Sequence, residues 1–191
     1  MPNILNRYKL DLLAKISDID PEEWDNCLSG PIRQPGAPFL SHAFLNALEI
    51  SQSADSKTGW LPRHLILRKE TNELVAACPL YVKSHSQGEY VFDQNWAQAF
   101  ERAGGDYYPK LQCAVPFSPV TGPRLLASTD AADHSEYRNR LAQGLIDITK
   151  RMQLSSVHVT FCTKADAELL KDHGFLIRHD TQFHWENNNY K

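Results

Sequence analysis

Apolar residues along the chain recur at two spacings, one typical of helices and one typical of strands. The clearest helical repeat places Tyr137, Leu141, Leu145, Ile148 and Met152 at intervals of four, four, three and four residues. Side chains at this spacing share one face of an α-helix, so the segment predicts an amphipathic helix of about five turns.

Segments of alternating or continuous apolar residues predict the strands. Residues 63–70 and 73–83, with the sequences RHLILRKE and ELVAACPLYVK, flank a short polar turn at residues 71–72. A polar turn between two such runs is typical of an antiparallel hairpin. Further strands are predicted at residues 8–16, 111–117 with a continuation at 121–128, 155–161 and 175–187.

Capping residues predict further helices. Asp20 precedes a proline and is followed three residues later by Glu23, which is the pattern of a capping box, and Gly30 is the expected helix stop. Ser41 and Thr163 have the short polar side chains that cap helix N-termini. We therefore expect helices after Asp20, Ser41 and Thr163.

Another helix is predicted by Trp96, Ala99, Phe100 and Ala103, which follow the i, i+3, i+4, i+7 spacing. The two glycines at residues 104–105 are expected to end it. On this interpretation Trp96 and Phe100 face the core and fix the helix to it.

The predicted order of elements is β-α-α-β-β-(α)-β-α-β-α-β in one domain that spans residues 1–191. The first half is rich in hairpins, and strands alternate with helices in the second half. This arrangement favours an α/β (α+β) fold, with a mixed, mostly antiparallel sheet and helices on both faces. This order resembles the acetyltransferase (GNAT) fold, in which a splayed central strand leads into the long helix. Element order identifies no activity.

Composition excludes several function classes. The 191 residues carry 20 Lys and Arg against 23 Asp and Glu, a net charge of −3, and no basic block marks a general nucleic-acid footprint. No apolar run approaches the roughly 18 residues of a membrane span. Charged residues interrupt the apolar residues of the N-terminal segment, so we expect no secretory signal there. The four cysteines lie apart without a C-x-x-C pair, which is typical of free thiols in a reducing cytosol. We therefore expect a cytoplasmic protein.

A polar segment after the predicted hairpin carries the densest candidate chemistry. Its polar residues are Lys83, Ser84, His85, Ser86, Glu89, Tyr90 and Asp93. His85, Glu89 and Asp93 would align as metal ligands on a helix. Gly88 and the β-prone residues after it disfavour a helix, and on an extended strand four residues span about 13 Å, too far to share an ion. We therefore expect no metal site.

Nucleophilic catalysis finds little support in the sequence. Ser84 and Ser86 flank His85, but neighbours on an extended chain point to opposite sides, and no nucleophile-elbow motif is present. Cys113 has apolar neighbours, which make a thiol unreactive. Residues 120–137 also lack the glycine-rich signature with which acetyltransferases hold the pyrophosphate of coenzyme A.

A second group of polar and aromatic residues lies in the loops that follow. The group consists of Tyr107, Tyr108, Lys110, Phe117 and Arg124. These residues could line a groove for an anionic or peptide-like ligand, since the cations supply charge and the tyrosines supply rings and hydroxyls. The alternative is that the tyrosines cover the end of the sheet. His158, on a predicted strand, is expected to be an interior or edge residue.

Three stretches together resemble a bacterial family. They are residues 38–65, 79–104 and 107–126, and the motifs KSHSQGEYVFD and YYPKL within them are long and specific. On these motifs the chain resembles the FemAB-like family, often labelled peptidoglycan biosynthesis/recognition, within the GNAT superfamily. The resemblance begins near Leu10 and runs to the end of the chain. Members of that family look like two such halves in tandem, and this chain resembles the N-terminal half.

The resemblance implies an acyl- or aminoacyl-transferase relationship, with a peptidoglycan precursor or another small-molecule amine as the acceptor. It implies a donor of the acetyl-CoA, acyl-CoA or aminoacyl-tRNA type. The alternative is a non-catalytic substrate-binding or structural half-domain, which needs a C-terminal GNAT-like half or a homodimer partner.

Site residues are expected mainly in the two polar groups. We expect His85 and Glu89 to transfer protons. Lys83, Lys110 and Arg124 are expected to steady an anionic group of the substrate. The remaining predicted substrate-binding residues are Ser84, Ser86, Tyr90, Asp93, Tyr107, Tyr108, Phe117 and Thr121.

Overall fold

The structure is a computed structural model that describes residues 7–28, 37–91, 93–128 and 133–189. The strands are β1 (Tyr8–Leu13), β2 (Trp60–Pro62), β3 (His64–Lys69), β4 (Leu74–Cys78), β5 (Leu80–Lys83), β6 (Lys110–Cys113), β7 (Leu126–Ala127) and β8 (Val157–Val159). The helices are α1 (Pro21–Asn26), α2 (Ala37–Leu40), α3 (His42–Ile50), α4 (Gln94–Arg102), α5 (His134–Arg151) and α6 (Lys164–Asp172). The predicted helix stop at Gly30 lies outside the described residues.

The strands form two four-stranded sheets. The first sheet has the order β1-β3-β4-β7, and the second has the order β2-β5-β6-β8. Neighbouring strands are antiparallel, apart from β6 and β8, which run parallel. The predicted mixed, mostly antiparallel architecture is confirmed, but it is divided between two sheets.

The strand predicted at residues 73–83 is shared between the two sheets. β4 ends at Cys78 and pairs with β3, whereas β5 begins at Leu80 and pairs with β2 and β6. Pro79 lies between them and has no backbone N–H with which to continue a ladder. The prediction of one continuous strand was wrong, and the predicted hairpin, formed by β3 and β4, is confirmed.

Helices pack on both faces of the first sheet. Leu65 of β3 lies in the same core cluster as Leu141 of α5. Its neighbour Ile66 lies in a second cluster with Trp24 of α1 and Leu45 of α3. Successive residues of β3 thus enter opposite cores, as the two-residue period of a strand requires. The predicted stripe of the long helix is confirmed, since its buried residues include Tyr137, Leu141, Leu145 and Ile148.

The second sheet has one apolar face and one polar face, and this division positions the candidate site. Leu80, Leu111 and Cys113 belong to the core cluster that contains α5. The residues that alternate with them in β5, β6 and β8 are Tyr81, Lys83, Lys110, Gln112 and His158. Alternate residues of a strand point to opposite faces, so polar side chains gather on the face away from α5.

The predicted helix starts are confirmed. Asp20, Ser41 and Thr163 each accept hydrogen bonds from backbone N–H groups of the first helical turn. The predicted role of Glu23 in a capping box was wrong, because its carboxylate binds both terminal nitrogens of Arg68 at 3.0 Å. Among the described helices, none is long and apolar enough to cross a membrane.

The predicted orientation of α4 was wrong. Trp96 is 62% exposed and Phe100 is 47% exposed, whereas Ala97 is buried. Helical spacing identifies residues that share a face, but it does not show which face meets the core.

The strand predicted at residues 175–187 was also wrong, since this segment has no regular secondary structure. Side-chain contacts tether it. Arg178 Nη1 lies 3.5 Å from Asp93 Oδ1, and Gln182 Nε2 donates to the carbonyl oxygen of Pro119 at 2.6 Å. Alternating residues form a strand only where a neighbouring edge supplies ladder hydrogen bonds, which the residue pattern does not reveal.

Candidate functional site

Polar residues of neighbouring strands meet on the polar face of the second sheet. Trp60 of β2 is in register with Lys83 of β5, which is in register with Lys110 of β6. Further along β6, Gln112 is in register with His158 of β8. Directly opposed residues of adjacent strands share a face, so these five side chains line one surface.

Lys110 is the centre of a buried ion-pair cluster. Its Nζ lies 2.9 Å from Glu89 Oε2 and 2.7 Å from Asp93 Oδ2, and these three side chains are 0% to 2% exposed. The Tyr107 hydroxyl donates to the same Asp93 oxygen at 2.9 Å. Buried charges require partners of this kind. The structure thus brings together four predicted site residues, and we call them the Lys110 cluster.

An irregular turn carries Glu89 and Asp93 to the Lys110 cluster. Gly88 and Tyr90 both have left-handed backbone conformations, with φ of 78° and 55°. The turn folds the chain so that both carboxylates reach one ammonium group. The expectation that an extended chain holds them about 13 Å apart was therefore wrong. Within the described residues, no group of three or more His, Cys, Asp or Glu side chains could hold a metal ion.

The two carboxyl groups of the cluster have pKa values shifted in opposite directions. Burial raises the pKa of Glu89, and the attraction of Lys110 does not fully offset this. Burial acts on Asp93 in the same sense, but hydrogen bonds from Lys110 and Tyr107 outweigh it and lower the pKa of Asp93. Glu89 Oε1 has no hydrogen-bond partner among the described residues. Separated carboxyl pKa values are typical of acid–base catalysis.

Lys83 is a second buried lysine beside the cluster. Its Nζ lies 3.7 Å from the centroid of the Trp60 ring and donates to the carbonyl oxygen of Gln87 at 3.2 Å. Burial lowers the pKa of Lys83 to about 7, while Glu89 opposes this shift and Lys110 adds to it. An amine with such a pKa exchanges its proton near neutral pH, as catalytic lysines do.

His158 and Arg178 lie beside the Lys110 cluster and were not among the predicted site residues. His158 Nδ1 lies 3.5 Å from Asp93 Oδ2, and its Nε2 lies 3.0 Å from Ser156 Oγ. Burial and the charge of Lys110 lower the pKa of His158 to about 4, so its imidazole is neutral at pH 7. Arg178 Nη1 lies 3.5 Å from Asp93 Oδ1, and its side chain is 49% exposed. The alternation of β8 could have placed His158 with Gln112, but no local pattern brings Arg178 to Asp93.

Of the two residues predicted to transfer protons, Glu89 lies in the Lys110 cluster and His85 lies against Gly59. A methyl group added to Gly59 would collide with the imidazole of His85. Burial, followed by the charge of Lys83, lowers the pKa of His85. The proton-transfer role of His85 stays a prediction.

Hydroxyl and aromatic residues beside the cluster are half-buried or exposed. Ser86 Oγ and the Tyr108 hydroxyl are 2.6 Å apart. The Phe117 ring covers Gly88, lies 5.6 Å from the Trp60 ring and remains 40% exposed. The other predicted residues that the structure places at the surface are Ser84, Tyr90 and Thr121.

Arg124 is fully buried and binds backbone carbonyl groups. It donates from Nε to Thr160 at 3.0 Å, from Nη1 to Pro123 at 3.1 Å and from Nη2 to Val120 at 2.7 Å. These contacts join the loop before β7 to the end of β8. The described partners give Arg124 a structural role, and its binding of a substrate anion stays a prediction.

The N-terminus of α5 does not fit the pyrophosphate of coenzyme A, one of the donors implied by the resemblance. Its N-cap residue is Asp133, whose side chain makes no capping hydrogen bond, and Glu136 lies in the first turn. Negative side chains at this position oppose an anionic ligand at the helix N-terminus. We therefore derive no step through coenzyme A.

Comparison with known proteins agrees with the motifs quoted above. The sequence model of the FemAB-like family, described as peptidoglycan biosynthesis/recognition, matches residues 15–191. No curated protein matches the sequence.

Solved acetyltransferase structures share the fold. An acetyltransferase from Trypanosoma brucei has a TM-score of 0.51 and 15% identity, covering 94% of this chain and 99% of that chain. Glucosamine-6-phosphate N-acetyltransferase from Arabidopsis thaliana has a TM-score of 0.51 and 11% identity, with the same coverage. The aminoglycoside antibiotic 6′-N-acetyltransferase from Acinetobacter baumannii has a TM-score of 0.50 and 10% identity, covering 94% and 98%. The predicted GNAT fold is confirmed, and at these identities the likeness concerns the fold alone.

Proposed function

Since the chain belongs to the FemAB-like family of peptidoglycan biosynthesis and recognition, we propose that it transfers an acyl or aminoacyl group to an amine of a peptidoglycan precursor. The Lys110 cluster is the proposed site. One observation carries the proposal. The Glu89 carboxyl is buried and its pKa is raised, while its Oε1 has no hydrogen-bond partner among the described residues. Such a group is suited to accept a proton near neutral pH.

Glu89 is the proposed proton acceptor. The acceptor amine attacks the carbonyl carbon of an activated acyl ester, a C–N bond forms, and the amine proton passes to Glu89 Oε1. The bond from the carbonyl carbon to the leaving oxygen then breaks, and the leaving oxygen takes that proton. Amine and ester become amide and alcohol, and the protein is unchanged.

Lys110 and Asp93 position this base. Lys110 holds Glu89 through Oε2, which leaves Oε1 for the substrate. Asp93 stabilises the ammonium of Lys110 at 2.7 Å. The acidic residues at the N-terminus of α5, Asp133 and Glu136, disfavour the pyrophosphate of acyl-CoA at that position.

A transfer assay tests the proposal. The protein is incubated with aminoacyl-tRNA or acyl-CoA and a peptidoglycan precursor, and mass spectrometry measures the new amide. Glu89→Gln is expected to lower kcat about 100-fold, because it removes the proton acceptor but keeps the side-chain shape. Glu101→Gln, on the exposed surface of α4, is the matched control and should leave kcat unchanged. Equal kcat values for the two variants would contradict the proposal.

A second candidate function is a non-catalytic half-domain that binds a second GNAT-like half or a second copy of itself. It is favoured by exposed apolar side chains, since Leu176 is 98% exposed, Phe183 is 95% exposed and Trp96 is 62% exposed. Exposed apolar patches are typical of interaction surfaces. Light scattering would show a dimer that Leu176→Ser and Phe183→Ser dissociate. A monomer that transfers acyl groups in isolation would contradict this candidate.

We infer that the protein is a single GNAT-like domain located in the cytoplasm. The family match over residues 15–191 supports one domain. The free thiols of Cys27, Cys78, Cys113 and Cys162 support a reducing compartment. Cell fractionation tests the location, and recovery from an extracytoplasmic fraction would contradict it.

A further inference from the structure

Trp60 carries a buried polar atom that the Lys110 cluster does not use. Its side chain is fully buried, and its Nε1 has no hydrogen-bond partner among the described residues. Trp24 is equally buried, but its Nε1 donates to the carbonyl oxygen of Leu40 at 2.9 Å. Burying an N–H group without an acceptor is unfavourable, so an unpaired indole N–H needs a reason such as a ligand.

The surroundings of Trp60 place this N–H beside Gly88, the residue that precedes the proposed base. Lys83 Nζ lies 3.7 Å from the centroid of the Trp60 ring. A methyl group added to Gly88, the residue before Glu89, would lie 3.3 Å from Trp60 Nε1. Trp60 Nε1 therefore lies against the segment that carries Glu89, whose Oε1 also has no partner among the described residues. One unpaired donor and one unpaired acceptor thus occur in the same small region.

We propose that Trp60 Nε1 donates a hydrogen bond to the carbonyl oxygen of the transferred acyl group. This role rests on the acyl transfer proposed above. When the acceptor amine adds to the carbonyl carbon, the π electrons of the C=O bond move to the oxygen, which becomes negatively charged. A donor fixed in a dry interior stabilises that charge without rearrangement. The ligand class is a tetrahedral acyl centre with an anionic oxygen.

Phe117 lies beside this donor. Its ring would lie 2.5 Å from a methyl group added to Gly88, and its centroid lies 5.6 Å from that of Trp60. The residue is 40% exposed, and its backbone is left-handed, with φ of 55°. A non-glycine residue in this conformation is strained and needs support from its surroundings. The Phe117 ring therefore lies against both Gly88 and Trp60, where a ligand of Trp60 Nε1 would contact it.

The experiment compares Trp60→Phe with Trp24→Phe. Both substitutions remove an indole N–H and the same ring volume from a fully buried position. The two readouts are kcat in the transfer assay and the affinity for a phosphonamidate dipeptide, an analogue of the tetrahedral centre. Trp60→Phe is expected to lower both by about 100-fold, as loss of one such donor does in other acyl-transfer sites. Trp24→Phe should leave both unchanged.

Each outcome is decisive for the role of Trp60. Equal kcat and equal analogue affinity in the two variants would overturn it. A wild-type protein that transfers nothing, but binds the analogue in a way that depends on Trp60, would support this site and contradict the proposed function. A wild-type protein that neither transfers nor binds the analogue would overturn both.

A measurement on the wild-type protein avoids any effect of the substitutions on folding. In ¹⁵N NMR spectra, the indole N–H signal of Trp60 is expected to shift when the analogue is added, while that of Trp24 stays in place. No shift at Trp60 under saturating analogue would overturn the inference.

Discussion

Replacing Lys110 by methionine removes the cation that holds two buried carboxylates. The ammonium lies 2.9 Å from Glu89 and 2.7 Å from Asp93, and these side chains are 0% to 2% exposed. Removing one partner from a buried ion pair costs about 3–5 kcal/mol, because the remaining charge is left unpaired. Domains are stable by about 5–15 kcal/mol, so Lys110→Met should lose a large part of the free energy of unfolding.

The loss of stability should depend on pH in a defined direction. Without Lys110, burial raises the pKa of Glu89 in the folded state further above its unfolded value, and Asp93 loses the strongest influence that lowers its pKa. The folded variant then binds more protons than the unfolded chain, and its free energy of unfolding falls as the pH rises through the raised pKa of Glu89. Lys110→Met should therefore lose less stability at pH 5 than at pH 8.

Urea unfolding at pH 5 and pH 8, followed by tryptophan fluorescence, measures this difference. Lys164→Met is the matched control, because Lys164 is 90% exposed and its contact with Glu168 spans 3.7 Å. Its effect should stay below about 0.5 kcal/mol. Combining Lys110→Met with Glu89→Gln and Asp93→Asn should recover most of the stability, since no unpaired charge remains. A Lys110→Met loss that is the same at both pH values would refute the reasoning.

Three further predictions follow from individual side chains. Gly88→Ala should lower the free energy of unfolding by about 1 kcal/mol or more, because Gly88 has φ of 78° and the new methyl would lie 2.5 Å from Phe117. Urea unfolding measures this loss, and an unchanged unfolding midpoint would contradict the prediction. Between pH 7 and pH 10 the unfolded chain binds the Lys83 proton more than the folded protein does, because burial lowers the folded pKa to about 7. As the pH rises, the free energy of unfolding of the wild-type protein should therefore increase relative to that of Lys83→Met by up to about 1.4 kcal/mol per pH unit. Urea unfolding across this pH range measures the difference, and a difference between the two proteins that stays constant with pH would contradict the prediction. Burial raises the pKa of the Cys113 thiol, so a thiol reagent at pH 8 should modify Cys113 only after urea is added. Peptide mass spectrometry locates the modified thiol, and rapid modification of Cys113 itself in the native protein would contradict its burial.

Local sequence patterns account for most of the elements because they depend on neighbours within a few residues. The stripe of α5 and the caps at Asp20, Ser41 and Thr163 are all of this kind, and all are confirmed. The same patterns do not show what an element packs against. That is why Trp96 was predicted to be buried and is 62% exposed.

The four residues of the Lys110 cluster were all among the predicted site residues, but their arrangement around one ammonium group was not predicted. Glu89, Asp93, Tyr107 and Lys110 were all expected to contact a substrate, which stays a prediction, and the structure joins their side chains to one another. The contacts among these side chains depend on the turn at residues 84–91 and on the register of β5 with β6. Long-range contacts of this type cannot be inferred from spacing along the chain.

The sequence contains a signal for the polar face that was missed. Polar residues alternate with apolar ones in the strand segments LYVK, KLQC and VHV. Each of these segments shows a polar side chain at every second position, which on three neighbouring strands means one shared polar face. Recognising that face requires the order of the strands, which only the structure supplies.

Direct titration of Glu89 is the sharpest test of its role as the proton acceptor of the site. The protein is labelled with ¹³C at the glutamate carboxyl groups and titrated by NMR, and Glu89→Gln assigns the signal. Glu89 is expected to titrate above the usual glutamate value of about 4.3, because burial raises its pKa. In Lys110→Met the same signal should titrate at still higher pH. A Glu89 carboxyl that titrates at or below the usual value would contradict the account.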